Sequence, residues 1–294
     1  MTGIDIKRIR YFIGVSETLN FSRTARDFGV SQPALTKAVR RLEEDVGGTL
    51  LRREGKHTHL TPLGTAMLEH FRELDASALR VERTARRLVH GDMPQIQVGV
   101  MCTIGPHSIV GFLANYRNEA SDLEIVMRDL ARTDLVETLL CGMVDVAVVG
   151  ARVSDEQRFR HIELYNERMV VACAKDHPFA NRTSVKLEDV LRQPYIDRLQ
   201  CEFRETFLTE SRRRGFEPMF AARGDREEWT QTLIQQGVGI SIMPERSFVV
   251  SGLVSVPLSD LKQSRTVSIA VPIGREDTPT VRAFLKAVSA YNWK

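Results

Sequence analysis

The sequence has no run of about 18 apolar residues, so no membrane-spanning segment is expected. Its four cysteines, Cys102, Cys141, Cys173 and Cys201, stand far apart, and neither a CxxC pair nor a Cys/His spacing suggests a metal site. No Ser/His/Asp order, paired-carboxylate motif or phosphate-cradling glycine loop is present, which argues against the commonest hydrolase and nucleotide-binding chemistries. No cofactor or metal is implied. Residues 1–5 lead straight into the first helical pattern without a signal-peptide core, so a cytoplasmic location is expected. There the default for the cysteines is four free thiols. What is present is an ordinary globular composition. The 294 residues are 43% hydrophobic and 27% charged, enough chain for two or three domains.

Charge is unevenly spread. Residues 1–62 hold 11 Lys and Arg against 7 Asp and Glu, a surplus of four in a chain whose total is +3. The surplus surrounds residues 21–44. Ser22 has the chemistry to cap a short helix, with Ala25 and Phe28 on its inner face, and Gly29 can take the left-handed conformation that ends it. Ser31 can cap a second helix, with Pro33 in its first turn. Leu35, Val39 and Leu42 then recur at helical spacing, leaving Gln32, Thr36, Lys37, Arg40 and Arg41 outside. Such a pair fits a helix-turn-helix with a basic recognition helix. It also fits a plain helical pair with a solvated basic face. The flanks favour the first reading: an amphipathic helix over residues 6–19 precedes it, and residues 50–62 read as a two-stranded wing with a basic tip.

The pattern then predicts one long helix over residues 62–90. Leu63, Met67, Phe71, Leu74, Ala78, Val81, Ala85 and Leu88 recur with the period of a coiled-coil seam, and the expected partner is the same helix of a second copy. From Gln95 strands and helices alternate. Among the predicted elements are separate strands at 159–165 and 169–174, helices at 133–141 and 203–214, and a closing helix at 278–291. Repeated strand–helix–strand units imply a mainly parallel sheet in two lobes, with ligands bound between them at the strands' carboxyl ends.

A family resemblance rests on Tyr11-Phe12, Asn20-Phe21-Ser22, Ala25, Val30-Ser31-Gln32-Pro33-Ala34-Leu35-Thr36, Leu42-Glu43, Leu50-Leu51-Arg52-Arg53 and Leu60-Thr61-Pro62-Leu63-Gly64. In this order and spacing they resemble the N-terminus of a LysR-type transcriptional regulator. Asp145-Val146-Ala147-Val148, His177-Pro178-Phe179-Ala180 and Gly237-Val238-Gly239-Ile240 with Met243-Pro244 extend the resemblance along the chain. It implies an all-α winged helix-turn-helix domain at residues 1–62, a dimerising linker helix at 63–91 and an α/β effector domain at 92–294. That last domain would resemble a periplasmic binding protein, with lobe I at 92–164 and 266–294 and lobe II at 165–265. It also implies a regulator rather than an enzyme, acting on double-stranded promoter DNA as a homodimer or homotetramer. A small effector and RNA polymerase would be its further partners. Ser31, Gln32, Pro33, Thr36, Lys37, Arg40 and Arg53 of the wing would contact DNA.

For the effector, the resemblance points to Thr103, Thr133 and the junction Gln200-Cys201. The two threonines follow the first and second strands at expected helix starts. Cys201 lies just before another expected helix start, with Arg198 and Arg204 close in sequence, features that depress a thiol pKa. Its placement is similar to that of the peroxide-reacting cysteine in the OxyR branch. There are departures: no second cysteine follows in the next helix, and Pro272 stands where that branch has an arginine near the last strand. An oxidant sensed at Cys201 and a small organic acid held without redox chemistry are therefore both open, Cys201 being a small buried side chain in the second case. A cytosolic thiol enzyme and a solute-binding protein are the rivals, and both leave the basic N-terminal module unexplained.

Overall fold

The computed structural model describes residues 3–54, 57–90, 93–150 and 157–293. The chain forms two compact units, one holding Met1–Asp92 with Leu140–Met143, the other Met93–Leu139 with Val144–Lys294. Among the described residues no helix is long and apolar enough to cross a membrane.

In the first unit, α1 (Ile6–Thr18), α2 (Phe21–Asp27) and α3 (Gln32–Val46) precede β1 (Leu51–Glu54), β2 (His57–Leu60) and α4 (Pro62–His90). The residue that caps α2 is Asn20, not Ser22: its side chain accepts from the N–H groups of Ser22 and Arg23, both at 3.0 Å. Asn20 holds the extended backbone of an N-cap, and Ser22 is already inside the helix. Gly29 has a φ of 64°, as the turn requires. Ser31 caps α3 by accepting from Ala34 N–H, and Pro33 sits in the first turn. Phe28, expected inside, is 41% exposed, with its ring edge-on to Tyr11 at 5.2 Å. β1 and β2 form the antiparallel wing, whose tip at Gly55 and Lys56 lies outside the described residues.

The expected seam of α4 is divided. Phe71 is fully buried with Phe12, 5.5 Å between ring centroids, and Met67 packs on the same core. Phe71 thus completes the winged domain's core, which does not stop at Pro62, and is not available to a second subunit. Arg10 fixes the same helix through Asp75 at 2.5 Å and Glu82 at 3.3 Å. Leu63, Leu74 and Val81 remain exposed, Val81 by 68%. The side chain of Leu88 is outside the described set.

In the second unit, β3 (Gln95–Met101), α5 (Pro106–Glu119), β4 (Glu124–Leu130), α6 (Leu135–Leu140) and β5 (Val146–Val149) build lobe I. Next comes β6 (Phe159–Ala174), which leads to α7 (Leu187–Leu191), β7 (Tyr195–Arg198) and α8 (Arg204–Arg213). Lobe II is completed by β8 (Phe220–Gly224), α9 (Glu227–Gln235), β9 (Ser241–Pro244) and β10 (Leu253–Pro257). The chain returns along β11 (Ser264–Pro272) and ends in α10 (Pro279–Ala290). β6 is one strand of 16 residues rather than two. Its polar middle stays extended because β11 supplies partners there, Asn166 opposite Thr266 and Glu167 opposite Arg265. The seven-stranded sheet runs β10-β6-β11-β5-β3-β4, with β9 also on β6. It is mixed, not mainly parallel. Among the described strands only β3–β4, β3–β5 and the separate β7–β8 pair are parallel. The physical reason is that β6 carries the chain out of lobe I and β11 brings it back, so these long neighbours run in opposite directions.

Candidate functional site

α3 presents the candidate nucleic-acid face. Leu35, Val39 and Leu42 are buried, which turns Gln32, Pro33, Lys37 and Arg40 to solvent, with Thr36 half-buried at the boundary. Ser31 is exposed at the cap, where it holds the helix start. Gln32 Oε1 accepts from Ser22 Oγ at 3.1 Å, fixing the amide across the turn. Glu43 Oε1 accepts the backbone N–H groups of Leu50 and Leu51 at 2.8 and 3.1 Å, which ties the wing to α3. Arg53 lies on β1 of that wing, but its side chain is outside the described set.

Between the lobes of the second unit is a cavity of about 400 Å³. Its walls include Arg132, Glu163, Glu202, Phe203 and Arg265. The Arg265 side chain is only 6% exposed. Its Nε donates to Glu167 Oε1 at 2.8 Å, and Nη2 lies 2.7 Å from the same oxygen. Nη2 also donates to the Thr103 carbonyl and Nη1 to the Thr103 hydroxyl, both at 2.8 Å, while Nη1 makes a further bond to Glu202. Thr103 Oγ1 in turn donates to Glu202 Oε2 at 3.1 Å. Burial alone would lower the Arg265 pKa, but the paired carboxylates of Glu202 and Glu167 outweigh it and the net shift is upward. Gly150 permits this arrangement: a Cβ there would fall 2.5 Å from Arg265 Nη1 and 2.9 Å from Glu202 Oε1.

Only Thr103 of the four expected effector residues joins this network. Thr133 was expected at a helix start facing the cleft, but α6 begins at Leu135, and Thr133 is exposed with its hydroxyl 2.7 Å from Asp134 Oδ1. Gln200 and Cys201 precede α8 by a turn, because Cys201 C=O accepts from Arg204 N–H at 3.1 Å before the helix starts. Thr133, Gln200 and Cys201 line neither this cavity nor a smaller one of about 180 Å³ beside Cys102, Thr103 and Asp129. In that smaller space burial, then Glu228, holds the Asp129 carboxyl above its ordinary value.

The environment of Cys201 also differs from expectation. The thiol is 6% exposed, and burial pushes its pKa up, the opposite direction to that read from the flanking arginines. Arg198 Nη1 is 3.3 Å from Sγ and acts downward, but Arg198 is itself paired with Glu227, Nη2 to Oε1 at 2.7 Å. Arg204 turns to Asp197, at 2.8 and 2.9 Å. Burial likewise raises Cys102 to about 12 and Cys173 to about 11.

Sequence reasoning missed Arg265, Glu167, Glu202 and Glu163. Arg265 enters the site from the start of the last strand, well before Pro272, the position at which an arginine was sought. No local signal singled them out: Glu167 falls in the polar middle of β6, between the two strands expected from the sequence, and Arg265 lies just before the expected last strand.

Residues 6–65 match the model of the bacterial regulatory helix-turn-helix protein, lysR family, and residues 90–292 match the LysR substrate binding domain. The chain is 25% identical over 245 residues to the HTH-type transcriptional regulator AlsR of Bacillus subtilis, covering 82% of this chain and 80% of that protein. It is 23% identical over 293 residues to the hydrogen peroxide-inducible genes activator of Haemophilus influenzae, covering 98% and 96%. The crystal structure of CbnR, a LysR family transcriptional regulator, shares the fold with a TM-score of 0.66 at 20% identity, covering 97% of this chain and 98% of CbnR. With both modules of the family matched in order along the chain, this protein belongs to the LysR family of helix-turn-helix transcriptional regulators.

Proposed function

We propose that this LysR-type regulator, working in the cytoplasm, reads operator DNA through the exposed face of α3. In this reading Gln32, Pro33, Thr36 and Lys37 meet base edges in the major groove, while Ser31, Arg40 and Arg53 of the wing hold the phosphate backbone. The observation that carries it is the division of α3, with three apolar residues buried and an amide and three cations, Lys37, Arg40 and Arg41, turned outward. A dimer or tetramer presents such helices to repeated half-sites, and the exposed Leu63, Leu74 and Val81 of α4 support that assembly. A small ligand in the inter-lobe cavity adjusts DNA binding by favouring one arrangement of the lobes, and contact with RNA polymerase carries the effect to transcription. No catalytic role is assigned to any residue. The raised Cys201 thiol favours a non-covalent ligand over peroxide chemistry at that residue.

A gel shift on DNA upstream of the protein's own gene is the test. Gln32→Ala is expected to cost about 1–3 kcal/mol of discrimination between matched and mismatched sites, whereas Arg53→Ala weakens all sequences alike. An unchanged preference in Gln32→Ala rules out the recognition-helix assignment. In a reporter assay, loss of a hydrogen peroxide response in Cys201→Ser would restore the redox reading.

A further inference from the structure

We infer that Ser22 is a positioning residue for DNA reading: its hydroxyl orients the Gln32 amide so that α3 presents an acceptor and a donor, in fixed order, to an adenine in the major groove. This deepens the reading above that α3 meets base edges, and it rests on that reading.

The Ser22 hydroxyl is free to do this because it does not cap its own helix. Asn20 holds that post, accepting the N–H groups of Ser22 and Arg23 at 3.0 Å each. Ser22 Oγ instead donates to Gln32 Oε1 at 3.1 Å, ten positions away in sequence. The backbone brings the two side chains together. Gly29, at a φ of 64°, turns the chain. Its N–H bonds to the Arg26 carbonyl at 3.1 Å, and Val30 N–H bonds to the Ala25 carbonyl at 2.9 Å. Ser31 then caps α3, which makes Gln32 its first helical residue. Beneath the turn Thr24 is buried, its hydroxyl 3.2 Å from the Gly14 carbonyl. A Cβ at Gly14 would fall 2.6 Å from the Phe28 ring and 3.0 Å from Thr24 Cγ2, so α2 sits close against α1. The frame that carries Ser22 and Gln32 is thus set before DNA arrives.

A glutamine amide looks nearly the same after half a turn about its last bond, but its chemistry is reversed: N–H stands where oxygen stood. A loose glutamine on a helix surface also samples many rotamers, and ordering it on binding costs affinity for every sequence alike. The Ser22 hydroxyl acts on both. As a donor it holds Oε1 toward α2 and leaves one lone pair of Oε1 and both hydrogens of Nε2 for the groove. That pair matches N6–H and N7 of adenine. Guanine offers acceptors at both places, N7 and O6, and would face the remaining lone pair of Oε1. The reversed amide would donate to Ser22 Oγ and strand the hydroxyl hydrogen, since among the described contacts Ser22 Oγ donates to Gln32 alone. Both side chains are exposed in the free protein, so water competes for this bond. When the face closes on DNA the water leaves and the bond strengthens.

The test is selection by the full chain from double-stranded DNA with a randomised core, with the bound fraction sequenced. Wild type is expected to enrich adenine at one position of the half-site, and Gln32→Ala to lose that preference. Ser22→Ala should lose about three- to tenfold of it at the same position, the worth of one neutral hydrogen bond. The other positions should keep their preferences, and the unfolding temperature should barely move. Ser22→Thr keeps a hydroxyl and should restore the preference. In a Gln32→Ala background, Ser22→Ala should remove nothing more, because the two act as one unit. A wild-type preference in Ser22→Ala overturns the assignment. So does a loss spread evenly over all positions, which would place the hydroxyl on the phosphate backbone. An equal further loss in the Gln32→Ala background, or no recovery in Ser22→Thr, overturns it too. A base other than adenine at the position Gln32 reads sinks the orientation of the amide. If Gln32→Ala alters no position, or wild type enriches no sequence, the broader reading of α3 falls as well. If Gln32→Ala acts and Ser22→Ala does not, α3 keeps its role and only the positioning falls.

Discussion

On α3 the apolar side chains face the core while Gln32, Lys37 and Arg40 face solvent. In the inter-lobe cleft Arg265, Glu167, Glu202 and Thr103 face one another, and the protein satisfies its own buried groups. A surface that must read many DNA sites keeps its donors and acceptors exposed and loses little by it, because water satisfies them in the free protein. Groups buried in the wall of a cleft cannot be left without partners, so Arg265, Glu167 and Thr103 are fixed against their neighbours before any ligand arrives. Changes on the first surface should therefore alter recognition and spare stability, and changes in the second should do the reverse.

The largest expected effect is at Arg265. Arg265→Met orphans Glu167 and Glu202 and should cost about 3–5 kcal/mol, as breaking a buried ion pair does. Urea denaturation measures it; a loss below about 1 kcal/mol would mean the cluster is not held as described. Phe71→Ala removes a buried ring from the first unit and should cost about 3–5 kcal/mol. Leu74→Ala, one turn away and 44% exposed, should be near neutral for folding. If the two variants unfold alike, Phe71 belongs to a subunit seam after all. Gly150→Ala should cost about 1–3 kcal/mol by overpacking against Arg265, with DNA affinity of the unliganded protein unchanged.

Smaller effects sharpen the first unit. Asn20→Ala should cost about 1 kcal/mol through the lost N-cap, and Ser22→Ala only a few tenths. Equal losses would return the cap to Ser22. Last comes the thiol chemistry. Cys102 and Cys173 are pushed to about 12 and about 11 in the folded chain. Above the ordinary thiol value the unfolded chain has lost these protons and the folded chain keeps them. Stability is therefore retained below about pH 9 and declines as pH rises further. Iodoacetamide should label both residues slowly at pH 8 in the native protein and quickly in urea. Rapid native labelling of Cys173 would contradict its burial, and rapid labelling of the half-buried Cys102 would contradict its raised pKa.

The second helix of the helix-turn-helix was legible residue by residue, whereas the first was read with Ser22 in place of Asn20 as its cap and with Phe28 inside. Leu35, Val39 and Leu42 at helical spacing, Ser31 before them and Pro33 in the first turn are local features, and a helix's inner face follows from its 3.6-residue period alone. The long helix and nearly every later strand were placed in the same way, and the repeated strand–helix–strand units implied the two lobes, to which the family resemblance added their bounds. Where the reading failed, distance in sequence was the cause. Phe71 looked like one more position of a repeating seam, and only the docking of α4 on α1 decides that it faces Phe12. Cys201 looked electropositive from its neighbours in the chain, yet the partners Glu227 and Asp197 take up Arg198 and Arg204, and burial sets the thiol. The Arg265–Glu167 pair spans 98 positions and exists because β6 and β11 run antiparallel in one particular register. Periodicity fixes which side of an element is apolar, since it depends on backbone geometry within a few residues. Which charges meet inside a cleft depends on strand register and chain return, and these are settled only when the whole second unit is packed.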